Sequence, residues 1–184
     1  MEGVTDDELV QLARNGDPSG FDEIVERHKG AVFRAALAAL RNREDAEDVT
    51  QETFITAFRK LDTFRGDSQL RTWLSRIAWN KSMDQRRRGR FRRFLHLDEP
   101  DAAELPSLQA DPEREALAAS VHSRVRQQIE RLPENLRDTL LLASGGDLDY
   151  STIAEMLGVR EGTVKSRVFE ARAMLRAVLQ EARR

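Results

Sequence analysis

With 184 residues, no cysteine and three scattered histidines (His28, His96, His122), the chain has no means of building a disulfide, a thiolate metal site or a conventional zinc site. Charged residues make up 34% and aromatic residues 6%, a balance that favours two small helical units over a thick sheet-based core. No apolar run is long enough to span a bilayer and the start, MEGVTDDELV, is acidic, so a soluble cytoplasmic protein without a cofactor is expected.

The formal net charge of −2 conceals segregated blocks. Residues 1–60 carry 8 basic and 13 acidic side chains, residues 61–95 carry 10 and 3, residues 96–120 carry 1 and 7, and residues 121–184 carry 11 and 9. Blocks of alternating sign suit a protein that meets more than one charged partner, with solvated helix faces as the plain alternative.

In chain order, Thr5 with Glu8 three residues on forms a capping box that opens a helix to about Arg14, and Asn15-Gly16-Asp17-Pro18 breaks it. A second helix sets Phe21, Ile24, Val25, His28 and Val32 on one face, with His28 expected as a core neighbour rather than a ligand. Arg41-Asn42-Arg43 closes it and starts the next. The third helix, about Glu44 to Leu61, points Ala46, Phe54, Ala57, Phe58 and Leu61 inward. Asp45, Asp48 and Glu52 share its outward face with Gln51 beside them. Like charges at that spacing repel by a few tenths of a kcal/mol per pair, so a basic partner outside the chain accounts for them better than helix stability does.

Phe64-Arg65-Gly66-Asp67-Ser68 reads as a loop, with Gly66 free to adopt angles closed to other residues. The next helix, about Gln69 to Arg88, is expected to bury Leu70, Trp73, Leu74, Ile77 and Ala78 and to present Arg76, Asn80, Asp84 and Arg87. Trp79 falls off that stripe, where an aromatic either caps the core edge or stacks on a base. From Lys81 to Arg93 seven Lys or Arg stand against one acid, with Phe91 and Phe94 interleaved, the pattern of phosphate contact with stacking.

Residues His96 to Ala110 hold four acids, no Lys or Arg and two prolines, and read as a flexible acidic linker and domain boundary. Asp111-Pro112 starts a new helix with Leu117, Val121, Val125 and Ile129 inward. Leu132-Pro133 restarts the chain into a helix with Leu136, Leu140 and Leu141, ended by Ser144-Gly145-Gly146-Asp147. In YSTIAEMLGVREGTVKSRVFEARAML, Ala154, Gly158 and Val164 keep helix-turn-helix spacing. The second helix buries Val164, Val168, Ala171 and Leu175. Thr163, Ser166 and Arg167 face outward near its start, the part that normally reaches base edges, and Lys165, Arg172 and Arg176 form a flank suited to phosphates.

AEDVTQETF, then FRGDS and RTWLSRIAWN, then IAEMLGVREGTVKSRVFEARAML, resemble a bacterial RNA polymerase sigma factor of the small extracytoplasmic-function (group four) type, over nearly the whole chain. The resemblance implies an all-α protein of two small domains: region two over residues 1–95, a linker over 96–111, and a helix-turn-helix region four over 112–184. It implies a non-enzymatic subunit that binds core polymerase, recognises and melts promoters, and is held in check by an anti-sigma factor that can keep it at the membrane. It assigns Asp45, Asp48, Gln51 and Glu52 to the clamp helices of the largest polymerase subunit. Phe64, Arg65, Gly66, Asp67 and Ser68, with Arg76, Asn80, Asp84, Arg87 and Arg88, go to the minus-ten element. Thr163, Lys165, Ser166, Arg167 and Arg172 go to the minus-thirty-five element, while region four holds the flap of the second-largest subunit. A dimeric helix-turn-helix regulator would explain residues 150–176 but give no purpose to the acidic helix or the FRGDS loop. A hydrolase with metal on Asp45, Asp48 and Glu52 lacks convergent ligands.

Overall fold

A computed structural model describes residues 3–94, 125–146 and 148–181. The described residues form two compact units, one within Met1–Glu104 and one within Leu105–Arg184, and contain no strand. The linker, the Asp111-Pro112 helix start and the inward positions Leu117 and Val121 lie outside the described residues.

The first unit is built from α1 (Asp6–Arg14), α2 (Pro18–Leu40), α3 (Arg43–Lys60), a single 3-10 turn (Leu61–Thr63) and α4 (Leu70–Phe94). Local chemistry sets the boundaries. The Thr5 hydroxyl accepts from Glu8 N–H while the Glu8 carboxylate accepts from Thr5 N–H at 2.7 Å, closing the expected capping box and holding Glu8 below the usual carboxylate range. Asp17 caps α2 ahead of Pro18 and is lowered likewise by the Ser19 hydroxyl and N–H. Arg41 ends α2 in the left-handed region (φ 60), and Asn42 accepts from Asp45 N–H to begin α3.

Helix α2 packs against α1, α3 and α4. Its alanines Ala31, Ala35, Ala36, Ala38 and Ala39 are all buried, which allows neighbours to approach on more than one side. The core joins Leu9 and Val10, Ile24 and Val32, Phe54, Ala57, Leu61 and Phe64, and Leu70, Leu74 and Ala78. A smaller cluster of Ala36, Ala46 and Val49 fills the crossing of α2 and α3.

Two helices sit differently from their apolar pattern. On α4, Thr72, Ser75, Trp79 and Ser82 are buried alongside Leu70, Leu74 and Ala78, whereas Trp73 and Ile77 are only half-buried. At about 100° per residue, these positions place the buried arc roughly a quarter turn from the stripe the apolar residues suggest. Small hydroxyl side chains supply three of its seven positions, and a search for apolar periodicity passes over them. Trp79 is therefore a core residue, 3% exposed and closed to base stacking. On α3, Phe58 points outward rather than in, 59% exposed, its ring edge-on to Phe21 at 5.0 Å.

The second unit contains a helical stretch over 125–131, then α5 (Glu134–Ser144), α6 (Tyr150–Leu157) and α7 (Glu161–Glu181). Leu132, Leu136, Leu140 and Ala171 make its core, with Leu175 packed against them. Leu142 is buried and Leu141 only half-buried, the reverse of the expected inward position, and Val125 and Ile129 are half-buried. Arg137, itself buried, donates to the Glu130 carbonyl at 2.7 Å, satisfying a group left open at a helix end. Asp149 caps α6, and Gly158 (φ 65) turns the chain into α7. Ala154 and Val164 are buried where α6 and α7 cross, as helix-turn-helix spacing requires.

Candidate polymerase and promoter interfaces

The acidic side of α3 is an exposed ridge of Asp48, Gln51 and Glu52. It continues along the helix into Ile55 (53% exposed) and Phe58, an apolar extension missed by reading charge alone. Asp45 is only half-buried and accepts from Gln85 of α4 at 2.7 Å. Glu52 lies 3.1 Å from Lys81 Nζ, also on α4. Two carboxylates of the set therefore have partners inside the chain. Contacts to α4 thus account in part for carboxylates that their spacing on α3 alone leaves unexplained.

Beyond α3 comes the Phe64–Ser68 loop. Arg65, Gly66 and Asp67 are exposed and Ser68 half-buried, with Gly66 at φ 79. Phe64 is different: it is 6% exposed and packs on Trp73, ring centroids 5.4 Å apart, so it roots the loop in the core. The carbonyls of Leu61, in the 3-10 turn, and of Phe64, at the start of the loop, accept from Arg14 at the end of α1.

On α4, Arg76, Asn80, Asp84 and Arg87 share the side opposite the buried arc, with half-buried Trp73 among them. Asn80, Asp84, Arg87 and Arg88 are exposed and Arg76 half-buried. Asp84 and Arg87 pair with each other along the helix. Polymerase-side and DNA-side candidates thus adjoin along the α3–α4 seam, bridged by Glu52–Lys81 and Asp45–Gln85.

In the second unit, Ser166 and Arg172 are exposed on α7, and Thr163 and Arg167 half-buried. Lys165 is exposed and pairs with Glu161 at 2.7 Å, whose hydrogen bond and charge raise the ammonium's pKa. Helical spacing sets Lys165, Phe169 and Arg172 along one flank and Thr163 with Arg167 along the other. Phe169 is 71% exposed. Its only signal in the sequence is a place off the stripe of Val164, Val168, Ala171 and Leu175.

Residues 24–92 match the family model of Sigma-70 region 2, and residues 122–175 that of Sigma-70, region 4. The ECF RNA polymerase sigma-E factor of Escherichia coli (strain K12) is 37% identical over 177 residues, 93% of this chain and 92% of that one. The chain belongs to the extracytoplasmic-function RNA polymerase sigma factors. As such a factor it binds core RNA polymerase and directs promoter recognition and transcription initiation. The RNA polymerase sigma factor NccH of Alcaligenes xylosoxydans xylosoxydans is 36% identical over 178 residues, 96% of each chain. Among solved structures, CnrH in complex with the cytosolic domain of CnrY aligns with a TM-score of 0.66 at 28% identity, covering 94% of this chain and 96% of that one. RpoE in complex with the anti-sigma factor NepR from Bartonella quintana aligns at 0.68 and 25% identity, over 87% and 96%. No described helix is long and apolar enough to cross a membrane.

Proposed function

We propose that the two units divide promoter recognition as region two (residues 1–95) and region four (112–184) across a linker over 96–111. In the first, Asp45, Asp48, Gln51 and Glu52 dock on the clamp helices of the largest polymerase subunit. The Phe64–Ser68 loop receives a base swung out of the non-template strand of the minus-ten element. Unstacking costs a few kcal/mol, which contacts in the loop return. Arg76, Asn80, Asp84, Arg87 and Arg88 line the path of that strand. In the second unit, Thr163, Ser166 and Arg167 face base edges of the minus-thirty-five element and Lys165 and Arg172 its phosphates, while the unit holds the flap of the second-largest subunit. The polymerase performs all phosphoryl transfer, so the chain acts as a specificity subunit and not as an enzyme.

The α3–α4 seam supports this reading most directly, because one rigid pair of helices presents an acidic ridge beside a basic, aromatic-bearing one. A partner of anti-sigma type is proposed from the likeness to RpoE, solved in complex with the anti-sigma factor NepR, and to CnrH, solved in complex with the cytosolic domain of CnrY. A membrane-bound partner of that kind would hold the otherwise cytoplasmic chain at the bilayer. Run-off transcription tests the core of the proposal. Core polymerase with this chain is expected to give RNA with defined 5′ ends from genomic fragments, and inactivity with core would overturn it.

A further inference from the structure

A loop that accepts a base must already hold its shape, because ordering it at the moment of binding costs affinity. The Phe64–Ser68 loop follows a 3-10 turn at the end of α3, where the last carbonyls of a helix lack intrahelical partners. The Phe64 N–H closes the turn on the Leu61 carbonyl at 3.1 Å, and Arg14, the last residue of α1, adds a donor to that carbonyl and to the Phe64 carbonyl from 47 and 50 residues away. Its Nη2 donates to the Leu61 carbonyl at 2.8 Å and to the Phe64 carbonyl, and its Nε lies 3.9 Å from the Asp62 carboxylate. One planar guanidinium thus ties both ends of the turn that launches the loop.

Helix α1 is itself firmly held. Leu9 and Val10 are buried, and Gly20 of α2 lies so close that a Cβ there would sit 2.7 Å from the Leu9 carbonyl. The start of α1 also returns to the far end of the loop. Thr5, Asp6 and Asp7 line a recess of about 310 Å³ together with Gly66, Ser68, Gln69, Leu70 and Arg71. Helix α1 therefore borders the loop at both of its ends, although it precedes the residues matched by the region 2 model.

We propose that Arg14 is a positioning residue for base capture: its grip on the Leu61 and Phe64 carbonyls keeps Arg65 to Ser68 in the shape that admits an unstacked promoter base. This rests on the reading of the loop as the base-capturing element. The test uses the full chain bound to core polymerase and a labelled single-stranded oligonucleotide carrying the non-template minus-ten strand of a promoter found by run-off transcription. Each base is replaced in turn by an abasic site and affinity is followed by fluorescence anisotropy. With the unaltered chain, one abasic position is expected to cost tenfold or more, on the order of what a lost base stack and its hydrogen bonds supply. In Arg14→Ala that penalty should shrink to about threefold or less, since two charge-assisted bonds no longer order the loop. Affinity for core polymerase and helical circular dichroism should stay unchanged, and Arg14→Lys, which reaches one carbonyl at a time, should fall between.

A full abasic penalty in Arg14→Ala overturns the proposal and leaves base capture by the loop standing. Loss of the penalty only together with core affinity and helical signal also overturns it, since Arg14 would then merely support the fold. If Arg14→Ala does not fold, Arg14→Lys decides, and a full penalty there overturns the proposal. If no abasic position matters for the unaltered chain, the reading of the loop fails and the role of Arg14 fails with it.

Discussion

Gly20 shows how tightly a single residue can be constrained by a crossing. A Cβ added there would meet the Leu9 carbonyl at 2.7 Å and the Ala13 nitrogen at 2.8 Å, both backbone atoms that cannot swing aside. Gly20→Ala should therefore push α1 off α2 and cost about 1–3 kcal/mol, read as a lower urea midpoint. His28 is a second residue with a measurable signature. It is 4% exposed, with Nε2 3.0 Å from Asp6 Oδ2 but without hydrogen-bond alignment. Burial lowers its pKa below 6.5; Asp6 acts in the opposite direction, and Arg71 and Arg27 add to the lowering. The folded chain thus takes up this proton less readily than the unfolded one. Stability should be full above pH 6.5 and fall as pH drops below that value, with His28→Gln flattening the dependence in denaturation series between about pH 5.5 and 7.5. Glu8 and Asp17, whose pKa values are also lowered, lose their contribution only in the more acidic carboxylate range.

In the first unit the proposed docking and strand-contact residues share the α3–α4 pair. Glu52 is 64% exposed in its pair with Lys81, an arrangement worth at most about 1 kcal/mol. Replacing Gln51 and Glu52 by Ala should accordingly leave the fold nearly unchanged while weakening core polymerase binding, and unchanged affinity in a pull-down would refute the docking assignment. On α7 the two flanks make separable predictions. Arg167→Ala should cost about 1–3 kcal/mol on the preferred upstream element and less on other sequences, if its guanidinium reads a base edge. Lys165→Ala should weaken all sequences alike, as expected of a phosphate contact.

At the scale of the whole molecule, charge segregation matters more than the net charge of −2. Residues 61–95, with 10 basic against 3 acidic side chains, carry most of the positive field. Promoter affinity of the polymerase-bound chain should fall steeply with salt, and each phosphate-contacting cation removed should reduce the slope of log affinity against log salt by about 1. Titrating KCl against binding by the unaltered chain and Lys165→Ala measures this, and an unchanged slope would remove Lys165 from the phosphate contacts.

Short-range chemistry was legible without coordinates. The Thr5–Glu8 capping box, the Asn15-Gly16-Asp17-Pro18 break, the Arg41-Asn42 junction and the Gly158 turn each depend on a few neighbouring residues, and the structure has them where the sequence places them. The family resemblance drew on the same strength, since its motifs are contiguous. Only tertiary packing decided what depends on partners far along the chain. Thr72, Ser75 and Ser82 look polar in sequence yet are buried, turning α4 so that Trp79 goes in and Trp73 lies at the edge. Phe58 looks apolar and stays out. Asp45 finds Gln85, Glu52 finds Lys81, and Arg14 finds the Leu61 and Phe64 carbonyls. A hydroxyl or a carboxylate carries no mark of its burial or its partner, because both are set by which helix the fold brings against it.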